Sequence, residues 1–425
     1  MYTKAIRLYG KKDLRLEEFE LPEISDDEIL AKVVSDSICM SSYKAAHQGA
    51  DHKRVPDNVA ENPVIIGHEF AGEILKVGEN WKHKFSSGQK YSIQPAIYYP
   101  DGPVGIMSSP GYSYPYIGGD ATFVIIPKDV LVQECLLVYD GPGFYPASLA
   151  EPLSCVIGAM HANYHTRPGS YVHQMEIVNG GKMAILAGVG PMGLAAINYV
   201  VNRKNLKPSL LVVTDIDQTR LDRAAMIFPE SWAAEKGIEL VYLNTGKEEN
   251  PVKALRDISG GSGYDDVFVF APVKSVFEQG DSILARDGCL NFFAGPTDTN
   301  ISAELNLYNI HYASTHVMGT TGGNTDDLIE SLRMTEQGLI NPAVMVTHIG
   351  GLDSVADTVL NLPGISGGKK LIYTHIDMEL TAISDFEKKG KSNPHFARLA
   401  DIVSSNGGLW CKDAEKYLLE NWKQQ

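Results

Sequence analysis

Cys39, His68, Glu69 and Glu151 have the residue types for metal chemistry. Cys39 stands in DSICMSSYK, just past a strand-like run. His68 and Glu69 stand in IIGHEFAGEI, and Glu151 in SLAEPLSC. One thiolate, one imidazole and one or two carboxylates are enough for a catalytic zinc with an open position. Singly, each has a plainer reading. A cysteine after a strand is usually a small buried hydrophobe. A His-Glu pair on a strand is usually a surface pair, and a Glu before Pro is often a helix N-terminal charge. A second group is Gly188-x-Gly190-Pro191-Met192-Gly193, with Asp215 22 residues past the last glycine. The strand MAILAGVG precedes it, a helix follows, and Asp215 ends the next strand, SLLVVTD. That context makes it a dinucleotide fingerprint. Gly188 permits a tight turn, Gly190 lets backbone approach a pyrophosphate, and Gly193 lets the helix pack on the strand. The helix N-terminus supplies N–H donors. Asp215 suits the ribose hydroxyls and repels a 2′-phosphate, which favours NAD(H) over NADP(H). A third group is the basic loop YKAAHQGADHKRV, with Lys44, His47, His52, Lys53 and Arg54. Such a cluster binds phosphate well; its plainer reading is a solvated loop.

The elements that must position these groups fall into two patterns. The first 160 residues read as short strands with turn punctuation. KAIRLY and LRLEEFEL form a hairpin around Gly10-Lys11-Lys12, and EILAKVVSDSIC is a strand that runs into a polar loop. VIIGHEFAGEILKVG gives two strand segments around His68-Glu69, and residues 98–119 form a long ordered loop. This implies an N-terminal β-barrel or sandwich. From residue 183 apolar strands alternate with amphipathic helices, which implies βαβ units and a parallel sheet. After Thr321 the sheet pattern ends, apart from the late strand KKLIYTHI. The segment from Asp377 to Gln425 is polar and helical, and Trp410 and Trp422 are expected to pack on the barrel, the alternative being that they cover a subunit interface.

The chain has 425 residues, 44% apolar and 21% charged, an ordinary globular balance. Its net charge of 37 − 52 = −15 argues against nucleic acid as a partner. Five cysteines, widely spaced and without a CxxC pair, fit a reducing compartment better than a disulfide framework. There is no signal-like h-region and no run of apolar residues long enough to span a membrane, so a cytoplasmic location is expected.

The chain resembles the zinc-dependent medium-chain dehydrogenase/reductase superfamily, in its polyol dehydrogenase branch. The family's GHE-x-x-G-x-[VIL] signature matches Gly67-His68-Glu69-Phe70-Ala71-Gly72-Glu73-Ile74. Its G-[IV]-C-G-[ST]-[DT] motif is represented by Ser37-Ile38-Cys39-Met40-Ser41-Ser42, and the branch's EPL by Glu151-Pro152-Leu153. The glycine turn, Thr214-Asp215 and Arg220 fall in family order. The resemblance spans roughly residues 1 to 376 and implies a Rossmann doubly wound parallel sheet joined to a discontinuous GroES-like β-barrel catalytic domain. The expected division is 1–155 catalytic, 156–320 dinucleotide-binding, and 321–425 returning to the catalytic domain with a helical extension. The active site is expected in the cleft between the domains.

By the same resemblance, Cys39 and His68 hold one catalytic zinc together with Glu69 or Glu151. Ser41 starts the proton relay, and Lys44 stands at the relay position that is aromatic or His in relatives. Gly188, Gly190, Pro191, Met192, Gly193, Asp215 and Arg220 bind the cofactor. No cysteine occurs in YYPDGPVGIMSSPGYSYPY, where many relatives hold a second, structural zinc, so none is expected. The loop from Ser42 to Asn62 is longer than usual, and residues 163–182 and the tail beyond Asp377 look like additions. The expected reaction is hydride transfer between NAD(H) and a polyol or ketose. His47, Lys53 and Arg54 are candidates to read a phosphate on that substrate, and the chain also looks like the bacterial L-sorbose-1-phosphate reductase group. The alternatives are a dehydrogenase of a free polyol or of threonine, and a non-catalytic nucleotide-binding protein. A homodimer or homotetramer is expected.

Overall fold

The structure, a computed structural model, describes residues 1–422. The chain divides into two compact units, Met1–Glu151 with the segment from Asn324 onward, and Pro152–Gly323.

The first unit is built around the strand Ile29–Ile38. One edge of this strand is shared: its first half pairs with Phe123–Ile126 and its second half with Lys369–Tyr373, both antiparallel. The other edge takes Phe70–Val77, followed by Lys90–Ile93 and Leu136–Val138. Val346–Gly351 and Thr381–Ala382 extend the sheet beyond Lys369–Tyr373. Ile29, Ala31 and Val33 alternate into a core with Phe70, Ile74 and Tyr91, the period-2 pattern of a strand with one buried face. The hairpin Tyr2–Gly10/Asp13–Glu20 forms as expected and adds Val64–Ile65 as a third strand.

Two elements of this unit differ from the sequence expectation. The polar loop after Cys39 begins instead as the helix Met40–Gln48. Its polar residues hide an apolar side: Ala45 and Ala46 are fully buried with Ile38, Val55 and Val59. The strand Val346–Gly351, in a region read as past the sheet, runs parallel to Lys369–Tyr373. Its Val-Thr-His-Ile-Gly-Gly sequence ends in two glycines, yet partners on both sides hold it extended.

The tail forms the helices Phe386–Gly390, Pro394–Ser405 and Lys412–Asn421. Trp410 is fully buried, and its indole N–H donates to the Tyr373 hydroxyl at 2.7 Å. Tyr373 donates to Glu415 at 2.9 Å. Glu415 also accepts from the backbone N–H groups of Phe144 and Tyr145 at 2.7 and 2.8 Å. A buried carboxylate with three donors is satisfied, so the tail is fastened to the strand and to the turn before Glu151.

The second unit is a six-stranded parallel sheet in the order Glu239–Asn244, Leu210–Asp215, Lys182–Leu186, Tyr264–Val269, Leu284–Phe292, His316–Met318. The first strand of the sequence lies in the middle and the order reverses beside it, as in doubly wound dinucleotide-binding sheets. The added stretch 163–182 opens with the short hairpin Tyr164–His165/Gln174–Met175. His165 ties it to the sheet. Its Nδ1 lies 2.9 Å from the Asp287 carbonyl oxygen and its Nε2 3.0 Å from Asp266 Oδ1. Both neighbours are acceptors, so both ring nitrogens carry protons.

Burial opposes the charged His165 ring, but the Asp266 carboxylate outweighs it and the pKa is raised. Stabilisation by the imidazolium is therefore full below the free-histidine pKa of about 6.5 and lost as pH rises through the raised folded value. The melting-temperature advantage of the wild type over His165→Gln should shrink as pH rises above the free-histidine value of about 6.5. A constant gap would mean that the ring is not protonated.

Candidate active site

Register brings the candidate metal ligands together. Asp36 pairs with Phe70, so the end of Ile29–Ile38 runs beside the Gly67-His68-Glu69 turn, and the Ser37 N–H donates to the Glu69 carbonyl at 3.0 Å. One residue past the strand, Cys39 caps the helix Met40–Gln48, where the N-terminal dipole favours a thiolate. The ligand atoms of Cys39, His68 and Glu69 all lie within 4.8 Å of one another. Burial raises the Cys39 thiol, against the pull of Lys369. Burial also lowers His68, which stays neutral. Its Nδ1 lies 3.4 Å from the Ser42 hydroxyl. With Ser42 accepting there, Nε2 presents its lone pair.

Glu69 is 1% exposed and its carboxylate is fully engaged. Lys369 donates to both oxygens, at 2.5 and 2.6 Å, and the Ser37 hydroxyl donates to Oε2. Burial would lower the Lys369 pKa, but Glu69 reverses the shift, so the ammonium is held charged. Sequence reasoning missed Lys369. The available signal was a lysine opening the apolar strand KKLIY, because a lysine buried on a strand requires a carboxylate. Glu151, in the first turn of Ala150–Ala162, faces the same group: burial first, then Glu69, pushes it up to about 7. Behind Glu69, Asp36 accepts its backbone N–H at 3.3 Å. Asp36 packs with Asp120, and burial raises both carboxyls, Asp120 to about 8.

The basic loop splits. Lys53 is exposed, and His47 turns back on its own helix, donating to the Tyr43 carbonyl at 3.1 Å. Arg54 and His52 instead join the metal group through Tyr112, a second residue that sequence reasoning missed. The Tyr112 ring stacks on His52 (5.7 Å, 10°) and lies 5.9 Å from the Arg54 guanidinium carbon. Its hydroxyl is 3.3 Å from His68 Nε2 and also meets the Ser41 hydroxyl. Ser41 Oγ is 3.7 Å from Cys39 Sγ, and the charge of Lys44 is felt at His52.

In the second unit the chain turns from Lys182–Leu186 through Gly188 and Gly190 into the helix Pro191–Asn202, with Pro191 at its first position and Met192 next. A Cβ on Gly193 would overlap the Gly188 carbonyl, so only glycine permits this packing. Asp215 is buried at its strand end. Its Oδ1 accepts from the N–H groups of Ile216 and Asp217 at 2.9 and 3.1 Å, and Oδ2 takes no hydrogen bond among the described residues. The Arg220 guanidinium sits at the turn, 3.2 Å from where a Gly190 Cβ would stand.

Residues 25–135 match the alcohol dehydrogenase GroES-like domain and residues 191–337 the zinc-binding dehydrogenase family. The chain is 51% identical over 418 residues to mannitol-1-phosphate 5-dehydrogenase of Aliivibrio fischeri, covering 98% of this chain and 97% of that one. It belongs to the zinc-dependent medium-chain dehydrogenases. It is also 50% identical over 417 residues to L-sorbose 1-phosphate reductase of Klebsiella pneumoniae, with 98% and 97% covered. Among solved structures, 2R,3R-butanediol dehydrogenase from Bacillus subtilis shares the fold, with a TM-score of 0.67 at 21% identity over 87% of this chain and 99% of that one. The expected α/β and GroES-like architecture is thus borne out. The donor set suits the family's zinc: one soft thiolate, one neutral imidazole with a free lone pair and buried carboxylates around them.

Removing Lys369 leaves Glu69 buried and unpaired. Lys369→Met should lower stability in urea unfolding by about 3–5 kcal/mol, and Glu69→Gln added to it should recover much of the loss. An unchanged midpoint in the single variant would mean the pair is solvated.

Proposed function

We propose that this dehydrogenase interconverts a polyol phosphate and a ketose phosphate, such as L-sorbose 1-phosphate, with NAD(H). Cys39, His68 and one of Glu69 and Glu151 would hold the zinc. When bound, zinc and nicotinamide supply Lewis acidity toward the substrate oxygen and hydride transfer at its carbon. The Ser41 hydroxyl, beside Cys39, takes the proton of the substrate hydroxyl, and Lys44 stands one turn along the same helix to pass it outward. Asp215 receives the ribose hydroxyls, which supports NAD over NADP. Arg220 and the helix N-terminus after Gly190 receive the pyrophosphate. Free cysteines and the lack of a membrane-crossing helix among the described residues fit a cytoplasmic enzyme.

The observation that carries the phosphate reading is Arg54. Of the basic loop it is the guanidinium that lies against Tyr112, the ring in contact with His68. Two relatives at about half identity over nearly the whole chain carry names of sugar-phosphate enzymes, which supports the same reading.

The test is the ratio of kcat/KM for L-sorbose 1-phosphate to that for L-sorbose, followed as NADH oxidation. A charge-assisted contact is worth about 1.5–3 kcal/mol, so Arg54→Ala should lower that ratio at least about tenfold. NADPH should serve about tenfold worse than NADH. Comparable activity on both sugars in the wild type, unchanged in Arg54→Ala, would make this a free-polyol dehydrogenase.

A further inference from the structure

Tyr112 is built into its place more firmly than a lining residue needs. A Cβ on Gly111 would overlap the Gly67 carbonyl oxygen, and both glycines have positive φ, +78° and +91°. Glycine at 111 lets the Tyr112 loop lie directly on the backbone of the Gly67-His68 turn, and glycine at 67 lets that turn pass close to Asp120. Next along the loop, the Ser113 hydroxyl donates to the Arg54 carbonyl at 2.7 Å. Arg54 in turn donates to the Met107 carbonyl at 3.1 Å. The loop therefore fixes Tyr112 against two things at once, the metal-ligating histidine and the arginine backbone. The ring is 4% exposed, with its centre 4.8 Å from that of His68.

The hydroxyl then poses a problem of satisfaction. Its nearest partner is His68 Nε2, whose lone pair belongs to the metal in the loaded enzyme. Its other partner, the Ser41 hydroxyl, is committed to the reacting oxygen. A buried phenol without an acceptor is costly. A bound substrate that offered an oxygen to this hydroxyl would supply that acceptor, close to Ser41 and to Arg54. A simple alcohol has nothing there. A polyol or ketose has an oxygen on the neighbouring carbon.

We propose that Tyr112 is a substrate-contacting, specificity-determining residue. Its hydroxyl donates to the oxygen on a carbon next to the reacting one, while the Arg54 guanidinium beside its ring takes the phosphoryl group. The inference rests on the sugar-phosphate reading above and adds a residue that contacts the substrate beside its reacting carbon.

Calorimetric titration of the zinc-loaded enzyme with L-sorbose 1-phosphate and, separately, with inorganic phosphate tests it. Tyr112→Phe keeps the ring and removes only the hydroxyl. It should retain zinc at the wild-type level and weaken L-sorbose 1-phosphate about tenfold. Inorganic phosphate, which meets Arg54 alone, should bind as before. Unchanged sugar-phosphate affinity would return Tyr112 to a plain wall. Equal weakening of both ligands would show that it acts by placing Arg54, and loss of zinc would assign the hydroxyl to the metal site; each overturns the proposal. A wild type that does not bind L-sorbose 1-phosphate overturns the phosphate reading itself, and this inference with it. Wild-type binding with an unaltered variant overturns this inference alone.

Discussion

The buried Lys369–Glu69 ion pair constrains most of the first unit. Removing both charges from water costs several kcal/mol per ion, offset only by close geometry and further hydrogen bonds. Those conditions are met: Lys369 reaches both carboxylate oxygens, and Ser37 donates to one of them. To meet them, the strand that carries Lys369 must lie against the end of Ile29–Ile38, which is why the chain returns to the first unit after Gly323. Glu415 fastens the other end of that strand through Tyr373, and holds the backbone of Phe144 and Tyr145 just before Glu151. The tail beyond Asp377 therefore steadies the strand that carries Lys369 and the turn before Glu151.

The pair also bears on charge. Cys39, Glu69, Glu151, Asp36 and Asp120 crowd one buried region, and without a cation they cannot all ionise. Lys369 compensates Glu69. Burial raises both Asp36 and Asp120, which favours their protonated forms. Burial also raises Glu151, to about 7, and the Cys39 thiol, and a dication beside them would favour the ionised form of each. A chain of net charge −15 can still present a local cation to an anionic substrate, because Arg54 stands among aromatic rings rather than among these acids.

Much of this was legible in the sequence where the signal is local. The glycine turn, its flanking strand and helix, and Asp215 fall within one short stretch, and the periodicity of the parallel sheet is unambiguous. His68 and Glu69 are adjacent, and Cys39 follows a recognisable strand. What could not be read is pairing across the chain. Lys369 meets Glu69 300 residues away, and nothing near either residue names the other. Tyr112 sits in a tyrosine-rich loop in which several rings look equivalent, and only the Gly111–Gly67 approach singles it out. The basic loop read as one cluster because charge was visible and direction was not. Its first part is the helix on which His47 turns back to Tyr43, and past that helix Lys53 is exposed while His52 and Arg54 turn toward Tyr112.

The central claim is a single zinc in a sulfur-poor, buried group that Lys369 and Ser37 brace. X-ray absorption at the zinc edge of the purified holoenzyme reads that group directly. The account predicts one sulfur at about 2.3 Å and the remaining neighbours as nitrogen or oxygen at about 2.0–2.2 Å. A shell with two or more sulfurs, or one with none, would contradict it.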